Sequence, residues 1–158
     1  MKPIHIAIVE DDADDRFFIK LAFEGITSDL RLTAFPSGVE FLDYLQKGRD
    51  LPEIILTDIR MPVVNGFDVI QYVKQDGKTQ NIPVMVLSTS SSEEDVERAK
   101  KLGASGYFIK PTSLEAYHQI TAKVIEAANS RFLAFYSRFV NLRDSIHNAF
   151  FQHGWTLG

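Results

Sequence analysis

Five short apolar segments recur along the chain at intervals of roughly 25 residues, and this repeat constrains the fold more than any other feature. They are rich in Ile, Val and Leu, and acidic, Pro, Gly or Ser residues bound them. The segments cover residues 4–9, 30–35, 53–57, 83–88 and 106–110. Runs of this length and composition predict strands that are buried on both faces.

The stretches between these segments carry apolar residues at helical spacing. Phe17, Leu21 and Phe23 indicate the first helix, the fourth is predicted over residues 92–102, and the fifth is predicted to begin near Ser113. Strands that alternate strictly with helices predict an α/β fold, in which a parallel sheet is covered by helices on both faces.

Polar side chains follow the predicted strands, at the points where the chain leaves the sheet. They are Glu10, Asp11 and Asp12 after the first strand, Asp58 after the third, Ser88 after the fourth and Lys110 after the fifth. In open parallel sheets the functional crevice lies at the carboxyl ends of the strands. We therefore expect these side chains to meet at one edge.

Three carboxylates at one edge would repel one another. Two unit charges about 4 Å apart, at an effective dielectric constant of about 20, repel by about 4 kcal/mol. Either one of Glu10, Asp11 and Asp58 takes up a proton, or a divalent cation neutralises the group, and Mg²⁺ suits oxygen ligands. With the Lys110 ammonium and the Ser88 hydroxyl, the edge would accept a phosphoryl group that a carboxylate attacks. Taken singly, such acids are more often helix caps or solvated loop residues.

The acidic run from residue 10 to residue 15 divides into two parts with different predicted roles. Glu10 and Asp11 are the candidates either for cation binding or for proton uptake. Asp12 is predicted to be the N-cap of the first helix, and Asp14 and Asp15 are favoured there by the helix dipole.

Bulk composition excludes several functions. The formal net charge of −4 argues against nonspecific binding to nucleic acid or to an anionic membrane. The absence of cysteine excludes disulfides and a thiolate nucleophile. No apolar run has the length of a signal peptide core or of a membrane span, so we expect a cytoplasmic protein.

Four motifs stand at the strand ends: VEDD at 9–12, LTDIRMPVVNG at 56–66, LSTS at 87–90 and GASGYFIKP at 103–111. Together they resemble the receiver domain of two-component response regulators, the CheY-like family. The resemblance covers about residues 3–127 in the family's order and spacing. It implies a doubly wound, flavodoxin-like (βα)5 fold with five parallel strands in the order 2-1-3-4-5.

The resemblance also implies a role for each matching residue. Asp58 matches the phosphoacceptor, which takes a phosphoryl group from the phosphohistidine of a histidine kinase or a phosphotransfer protein. Glu10 and Asp11 match the acidic pair that holds Mg²⁺ with Asp58 and the backbone carbonyl of Arg60. Arg60 and Ser90 occupy the two positions that tune phosphoryl lifetime. Neither suits the orientation of an attacking water, so a fairly long-lived phosphoaspartate is expected.

Three further positions match the family's switch residues. Ser88 matches the residue whose hydroxyl turns toward the phosphoryl group, and Tyr107 matches the aromatic residue that moves inward with it. Lys110 matches the lysine that contacts the phosphoryl group. The bond between Lys110 and Pro111 is often cis in the family, which gives a cis peptide at Pro111 as an expectation.

The resemblance ends near Ala127, so we expect a receiver domain over 1–127 and a helical extension over 128–158. This extension is too short for a conventional output domain. Apolar residues from Ala128 to Ala149 recur at alternating spacings of 4 and 3, which is typical of a helix with one apolar stripe. The stripe could fold back on the domain, form a homodimer or dock on a partner.

The leading hypothesis is a stand-alone receiver that switches its protein contacts upon phosphorylation, with an unidentified downstream protein. A phosphorylation-independent adaptor or dimerisation module is the first alternative. The second is a phosphatase with an aspartate nucleophile, of the haloacid-dehalogenase type. That family needs a second Asp two residues after the nucleophile, and Arg60 stands there.

Overall fold

The structure, a computed structural model, describes residues 2–26, 29–48 and 50–129. Its strands are Ile4–Val9 (β1), Leu30–Phe35 (β2), Ile54–Thr57 (β3), Val84–Ser88 (β4) and Gly106–Ile109 (β5). Its helices are Ala13–Glu24 (α1), Gly38–Lys47 (α2), Gly66–Gln75 (α3), Glu93–Lys101 (α4) and Leu114–Asn129 (α5). The five predicted strands are all present, and none of their ends differs from the prediction by more than one residue.

The strands form one parallel sheet in the order β2-β1-β3-β4-β5, which confirms the predicted fold. The register determines which side chains meet at the carboxyl edge. Val9 lies opposite Thr57, and Ser88 lies opposite Ile109. The residues that follow these positions therefore leave the sheet side by side.

Side-chain caps define where the helices begin. Asp12, Ser37, Asn65 and Ser92 each accept a hydrogen bond from the amide three residues later, at the starts of α1, α2, α3 and α4. Such caps satisfy amides that have no partner within the helix. The prediction that Asp12 is the N-cap of the first helix is confirmed. The capped ends of α1, α3 and α4 follow the strand ends that carry the polar side chains.

Apolar side chains pack in two layers, one on each face of the sheet. One layer joins the sheet to α2, α3 and α4, and the other joins it to α1 and α5. In α1 the buried residues include Ile19 and Phe23, whereas Phe17 is 62% exposed and Leu21 is 38% exposed. The helix that Phe17, Leu21 and Phe23 indicated is present, and Phe17 and Leu21 lie largely outside its core face because α5 covers the side of α1 on which Ile19 and Phe23 lie.

The predicted helical extension lies almost entirely outside the described residues. The described chain ends at Asn129 in α5, so the apolar stripe and the homodimer that it could support stay predictions. None of the helices within the described residues combines the length and the apolar character that crossing a bilayer requires.

Candidate functional site

The side chain of Lys110 lies at the centre of the carboxyl edge, where it contacts three carboxylates. Its Nζ atom lies 2.8 Å from Oε2 of Glu10, 2.9 Å from Oδ2 of Asp58 and 2.7 Å from Oδ2 of Asp15. The Lys110 side chain is only 7% exposed. A buried ammonium at this point compensates part of the negative charge that these carboxylates bring together.

Burial and charge shift the pKa values of two of these groups. Burial raises the pKa of Glu10 to about 7, and the charge of Asp58 adds to this effect although Lys110 opposes it. Burial alone would lower the pKa of Lys110. Its close contacts with the carboxylates of Asp15, Glu10 and Asp58 outweigh burial and raise the pKa of Lys110, so the lysine is charged at neutral pH.

The carboxylates of Glu10, Asp11 and Asp58 form a group that could hold a metal ion. One oxygen from each lies within 4.8 Å of the other two. Oε2 of Glu10 is buried and accepts no hydrogen bond of acceptable geometry from the described residues, although the Lys110 ammonium is close. An oxygen-only donor set with one unsatisfied buried oxygen fits a hard cation such as Mg²⁺. The participation of the Arg60 backbone carbonyl stays a prediction.

The carboxylate of Asp58 is held by donors on both of its oxygens. Oδ1 accepts a hydrogen bond from the backbone amide of Ile59 at 2.6 Å, and Oδ2 accepts one from Lys110. The backbone amide of Asp58 donates to the carbonyl of Val9 at 2.9 Å, which ties the loop to β1. These contacts hold a nearly buried carboxylate in one orientation, as a nucleophile requires.

Gly66, the first residue of α3, packs directly against the backbone of Asp58. A Cβ atom at Gly66 would lie 2.1 Å from the carbonyl oxygen of Asp58, closer than any real contact. We therefore expect Gly66→Ala to lower the free energy of unfolding by about 3 kcal/mol, because backbone atoms must shift. Urea denaturation measures this loss. A Cβ at Gly77 would meet nothing within 4 Å, so Gly77→Ala is the matched control. Equal unfolding midpoints for the two variants would contradict the prediction.

Ser88 and Tyr107 lie on the neighbouring strands β4 and β5. The Ser88 hydroxyl is fully buried and accepts a hydrogen bond from the backbone amide of Ser90 at 3.2 Å. The Tyr107 ring lies in the core, and its hydroxyl donates to the carbonyl of Ser90 at 2.8 Å. Burial raises the pKa of the Tyr107 phenol. The ring is already in an inward position, and its movement on phosphorylation stays a prediction.

Two acidic residues of this site, Asp15 and Asp95, were not predicted to contact it. Asp15, assigned only to the helix dipole, binds Lys110. Asp95 lies near the start of α4, and its Oδ2 accepts hydrogen bonds from Arg60 and from Ser90, the two positions to which the family resemblance assigns phosphoryl lifetime. One sequence feature could have indicated both residues: each is an acidic residue in the first turn of a helix that begins at the carboxyl edge.

The expected cis peptide at Pro111 was wrong. No peptide bond among the described residues is cis, so the bond between Lys110 and Pro111 is trans. The trans form of such a bond is favoured by about 0.5–1 kcal/mol unless tertiary contacts oppose it. Lys110 reaches all three carboxylates from the trans backbone.

The family model for the response regulator receiver domain matches residues 6–122. The chain belongs to the response regulator receiver family. Receiver domains are signalling switches, generally not classed as enzymes, and they interact with histidine kinases or phosphotransfer proteins. This family membership bears out the resemblance that the four motifs indicated.

Relatives of this receiver include the probable methanogenesis regulatory protein FilR2 of Methanothrix harundinacea. It is 35% identical over an alignment of 128 residues, and the match covers 78% of this chain and 83% of the relative. The phosphorylated cyanobacterial phytochrome response regulator RcpA is similar in structure, with a TM-score of 0.74 and 29% identity over 81% of this chain and 95% of that one. The Mn²⁺-bound response regulator Rcp1 has a TM-score of 0.71 and 26% identity, over 83% and 94% of the two chains.

Proposed function

We propose that this receiver accepts a phosphoryl group on Asp58, with Mg²⁺, from the phosphohistidine of a histidine kinase or a phosphotransfer protein. The observation that carries the proposal is the geometry at Asp58. Its carboxylate is held between the Ile59 amide and the Lys110 ammonium, beside the oxygens of Glu10 and Asp11. A fixed carboxylate beside an ammonium and beside oxygens that can hold a divalent cation is what phosphoryl transfer requires.

In the proposed transfer, a carboxylate oxygen of Asp58 forms a bond to phosphorus while the bond between phosphorus and the donor's imidazole nitrogen breaks. The departing imidazole keeps the electron pair of that bond and takes up a proton. Lys110 offers its ammonium to a phosphoryl oxygen, and Ser88 is a hydroxyl donor within the same edge. Mg²⁺, held by Glu10, Asp11, Asp58 and the Arg60 carbonyl, would supply positive charge to the transferred group.

The signal leaves the site as a change in protein contacts. In the proposed switch, the Ser88 hydroxyl turns toward the phosphoryl group and the inward position of the Tyr107 ring becomes the favoured one, which changes the surface around α4 and β5. Both arrangements are populated, and the phosphoryl group shifts the equilibrium between them. The present contact of both residues with Ser90 supports their coupling.

The proposed domain organisation assigns residues 1–127 to the receiver and residues 128–158 to a helical contact segment. The apolar stripe in the sequence of that segment supports a contact with the receiver itself, with a second copy or with a partner. The downstream protein is unidentified, and a homodimer is one outcome of this contact.

Mass spectrometry after incubation with acetyl phosphate and MgCl₂ tests the proposal. We expect a gain of one phosphoryl group that requires both reagents. Borohydride converts phosphoaspartate into homoserine, so reduction followed by peptide mapping should locate homoserine at position 58. Absence of the mass gain, or homoserine at another position, would overturn the assignment. A sample without acetyl phosphate is the control for chemical background.

A further inference from the structure

The hydroxyl of Tyr107 is bound inside the protein, at the loop that follows β4. The residue is only 2% exposed, and its hydroxyl donates to the backbone carbonyl of Ser90 at 2.8 Å. A buried phenol hydroxyl needs such a partner, because an unpaired polar group in the core costs free energy. The inward position of the ring therefore depends on where the Ser90 carbonyl lies.

Three other hydrogen bonds fix Ser90, and one of them is much shorter than the rest. Its hydroxyl donates to Oδ2 of Asp95 at 2.5 Å. Its amide donates to Oγ of Ser88 at 3.2 Å, and its Oγ accepts from the amide of Ser92 at 3.4 Å. Hydrogen bonds to a carboxylate are about twice as strong as those between neutral groups. Asp95 is therefore the main anchor of Ser90.

Asp95 is itself held in place from two sides. It is the third residue of α4, and its amide donates to Oγ of the N-cap Ser92 at 3.2 Å. Its side chain is 11% exposed, and the same Oδ2 atom accepts a hydrogen bond from Nη2 of Arg60 at 2.5 Å. A carboxylate that a helix and a guanidinium both restrain can in turn restrain the loop at Ser90.

We propose that Asp95 is a positioning residue, which holds the Tyr107 ring in its inward position through Ser90. By doing so, it favours occupancy of Asp58 by a phosphoryl group. This second step rests on the proposed function, in which the phosphoryl group favours the inward ring. Coupling of this kind is reciprocal, so a contact that favours the inward ring raises the affinity for the group by the same factor.

The loss of the Asp95 carboxylate should release the ring. The Ser90 hydroxyl would lose its short hydrogen bond, and only the two long ones would remain to fix the loop. The Tyr107 hydroxyl would then have a poorly placed acceptor, and an outward ring would offer it water instead. If the inward fraction falls to about a tenth, the apparent affinity for a group that needs the inward ring falls about tenfold.

The first test titrates the full chain with beryllofluoride and Mg²⁺ by calorimetry, with beryllofluoride in place of the phosphoryl group. We expect Asp95→Ala to bind about tenfold more weakly than the wild type. Removal of a negative charge would by itself favour an anionic probe, so charge alone predicts the opposite result. Glu94→Ala is the matched control, because it removes an exposed acidic side chain from the same first turn of α4. Its affinity should stay within about twofold of the wild type.

Two further variants test the path from Asp95 to the ring. Ser90→Ala removes the donor to Asp95 and leaves every charge in place, so it should also weaken binding. Tyr107→Phe removes the hydroxyl that the Ser90 carbonyl holds. In that background Asp95→Ala should change the affinity by less than about twofold, because the restraint has nothing left to act on.

The position of the ring can be measured without ligand. In NMR spectra of the wild type and of Glu94→Ala, the Tyr107 ring protons should be protected from a soluble paramagnetic agent. In Asp95→Ala and Ser90→Ala the same protons should broaden, because the ring spends more time in solvent. Equal protection in all four proteins would overturn the inference.

The outcomes distinguish this inference from the proposed function. If the wild type binds no beryllofluoride, the proposed function fails and the effect on occupancy fails with it, while the ring protons still decide whether Asp95 positions Tyr107. If the wild type binds but Asp95→Ala and Ser90→Ala bind as tightly as Glu94→Ala, the inference alone is overturned. Should Asp95→Ala unfold, Ser90→Ala decides the matter by both measurements.

Discussion

Lys110→Met is expected to lower the free energy of unfolding by about 3 kcal/mol and to slow phosphoryl uptake by about 100-fold or more. Methionine matches the length of the buried side chain but leaves the carboxylates of Glu10, Asp58 and Asp15 without their shared ammonium. Removing one partner of a buried ion pair typically costs about 3–5 kcal/mol. We expect the lower end, because Glu10 has a pKa already raised to about 7 and can take up a proton.

The affinity of the same variant for Mg²⁺ should rise, although its stability and its rate of phosphoryl uptake fall. Without the ammonium the carboxylate group is more negative, so Mg²⁺ should bind more tightly than in the wild type and restore part of the lost stability. Phosphoryl uptake should stay slow, since the cation cannot replace the proposed contact of Lys110 with the transferred group. Urea denaturation with and without MgCl₂, together with the rate of mass gain from acetyl phosphate, separates the two effects.

Lys47→Met is the control for the loss of one lysine. Lys47 is exposed and pairs with Asp43 at 2.6 Å one helical turn away, an interaction of the kind that contributes less than about 1 kcal/mol. A Lys110→Met variant no less stable than Lys47→Met would contradict the central role of the ammonium. So would weaker binding of Mg²⁺ to Lys110→Met than to the wild type.

Much of the fold and the centre of the site could be predicted because the geometry of a parallel sheet determines where the strand ends lie. Once five buried strands run parallel, the residues that follow them must meet at one edge. Glu10, Asp58 and Lys110 are such residues, and they lie in contact with or close to one another. Their convergence needed only the order and the length of the strands. It did not depend on which side-chain rotamers they adopt.

The contacts of the acidic residues at the helix starts could not be predicted in the same detail. Any acidic residue in a first turn is stabilised by the helix dipole, so a sequence cannot distinguish one that faces solvent from one that reaches over the sheet edge. Asp12 caps α1, whereas Asp15, three residues later, binds Lys110, which follows the edge strand β5. Asp95 is likewise the third residue of α4 and receives Arg60. Only the packed positions of the helices decide between these roles.

Two other features could not be predicted from the local sequence, for related physical reasons. Which side of α1 is buried depends on where α5 packs, and that contact joins distant parts of the chain. The isomer at Pro111 depends on an energy difference of about 0.5–1 kcal/mol. A difference so small is decided by the surrounding contacts rather than by the local sequence.

Asp11→Asn is expected to abolish Mg²⁺-dependent phosphoryl uptake while the fold persists. Among the three carboxylates of the proposed cation site, Glu10 and Asp58 already share the Lys110 ammonium, whereas Asp11 is exposed to solvent. Asp11 therefore contributes a charge that the lysine does not compensate by direct contact. Magnesium sites use few carboxylates, so replacing one by a neutral amide removes a large part of the attraction.

Asp14→Asn makes the same chemical change three residues later, on the exposed side of the first turn of α1. It should cost only about 0.3–1 kcal/mol of stability, through the helix dipole, and should leave phosphoryl uptake unchanged. Acetyl phosphate reactions followed by mass spectrometry over a range of MgCl₂ concentrations compare the two variants. If Asp11→Asn takes up the phosphoryl group with the Mg²⁺ dependence of Asp14→Asn, the cation is held elsewhere. The difference between the two variants thus measures how the acidic run divides between binding a metal and starting a helix.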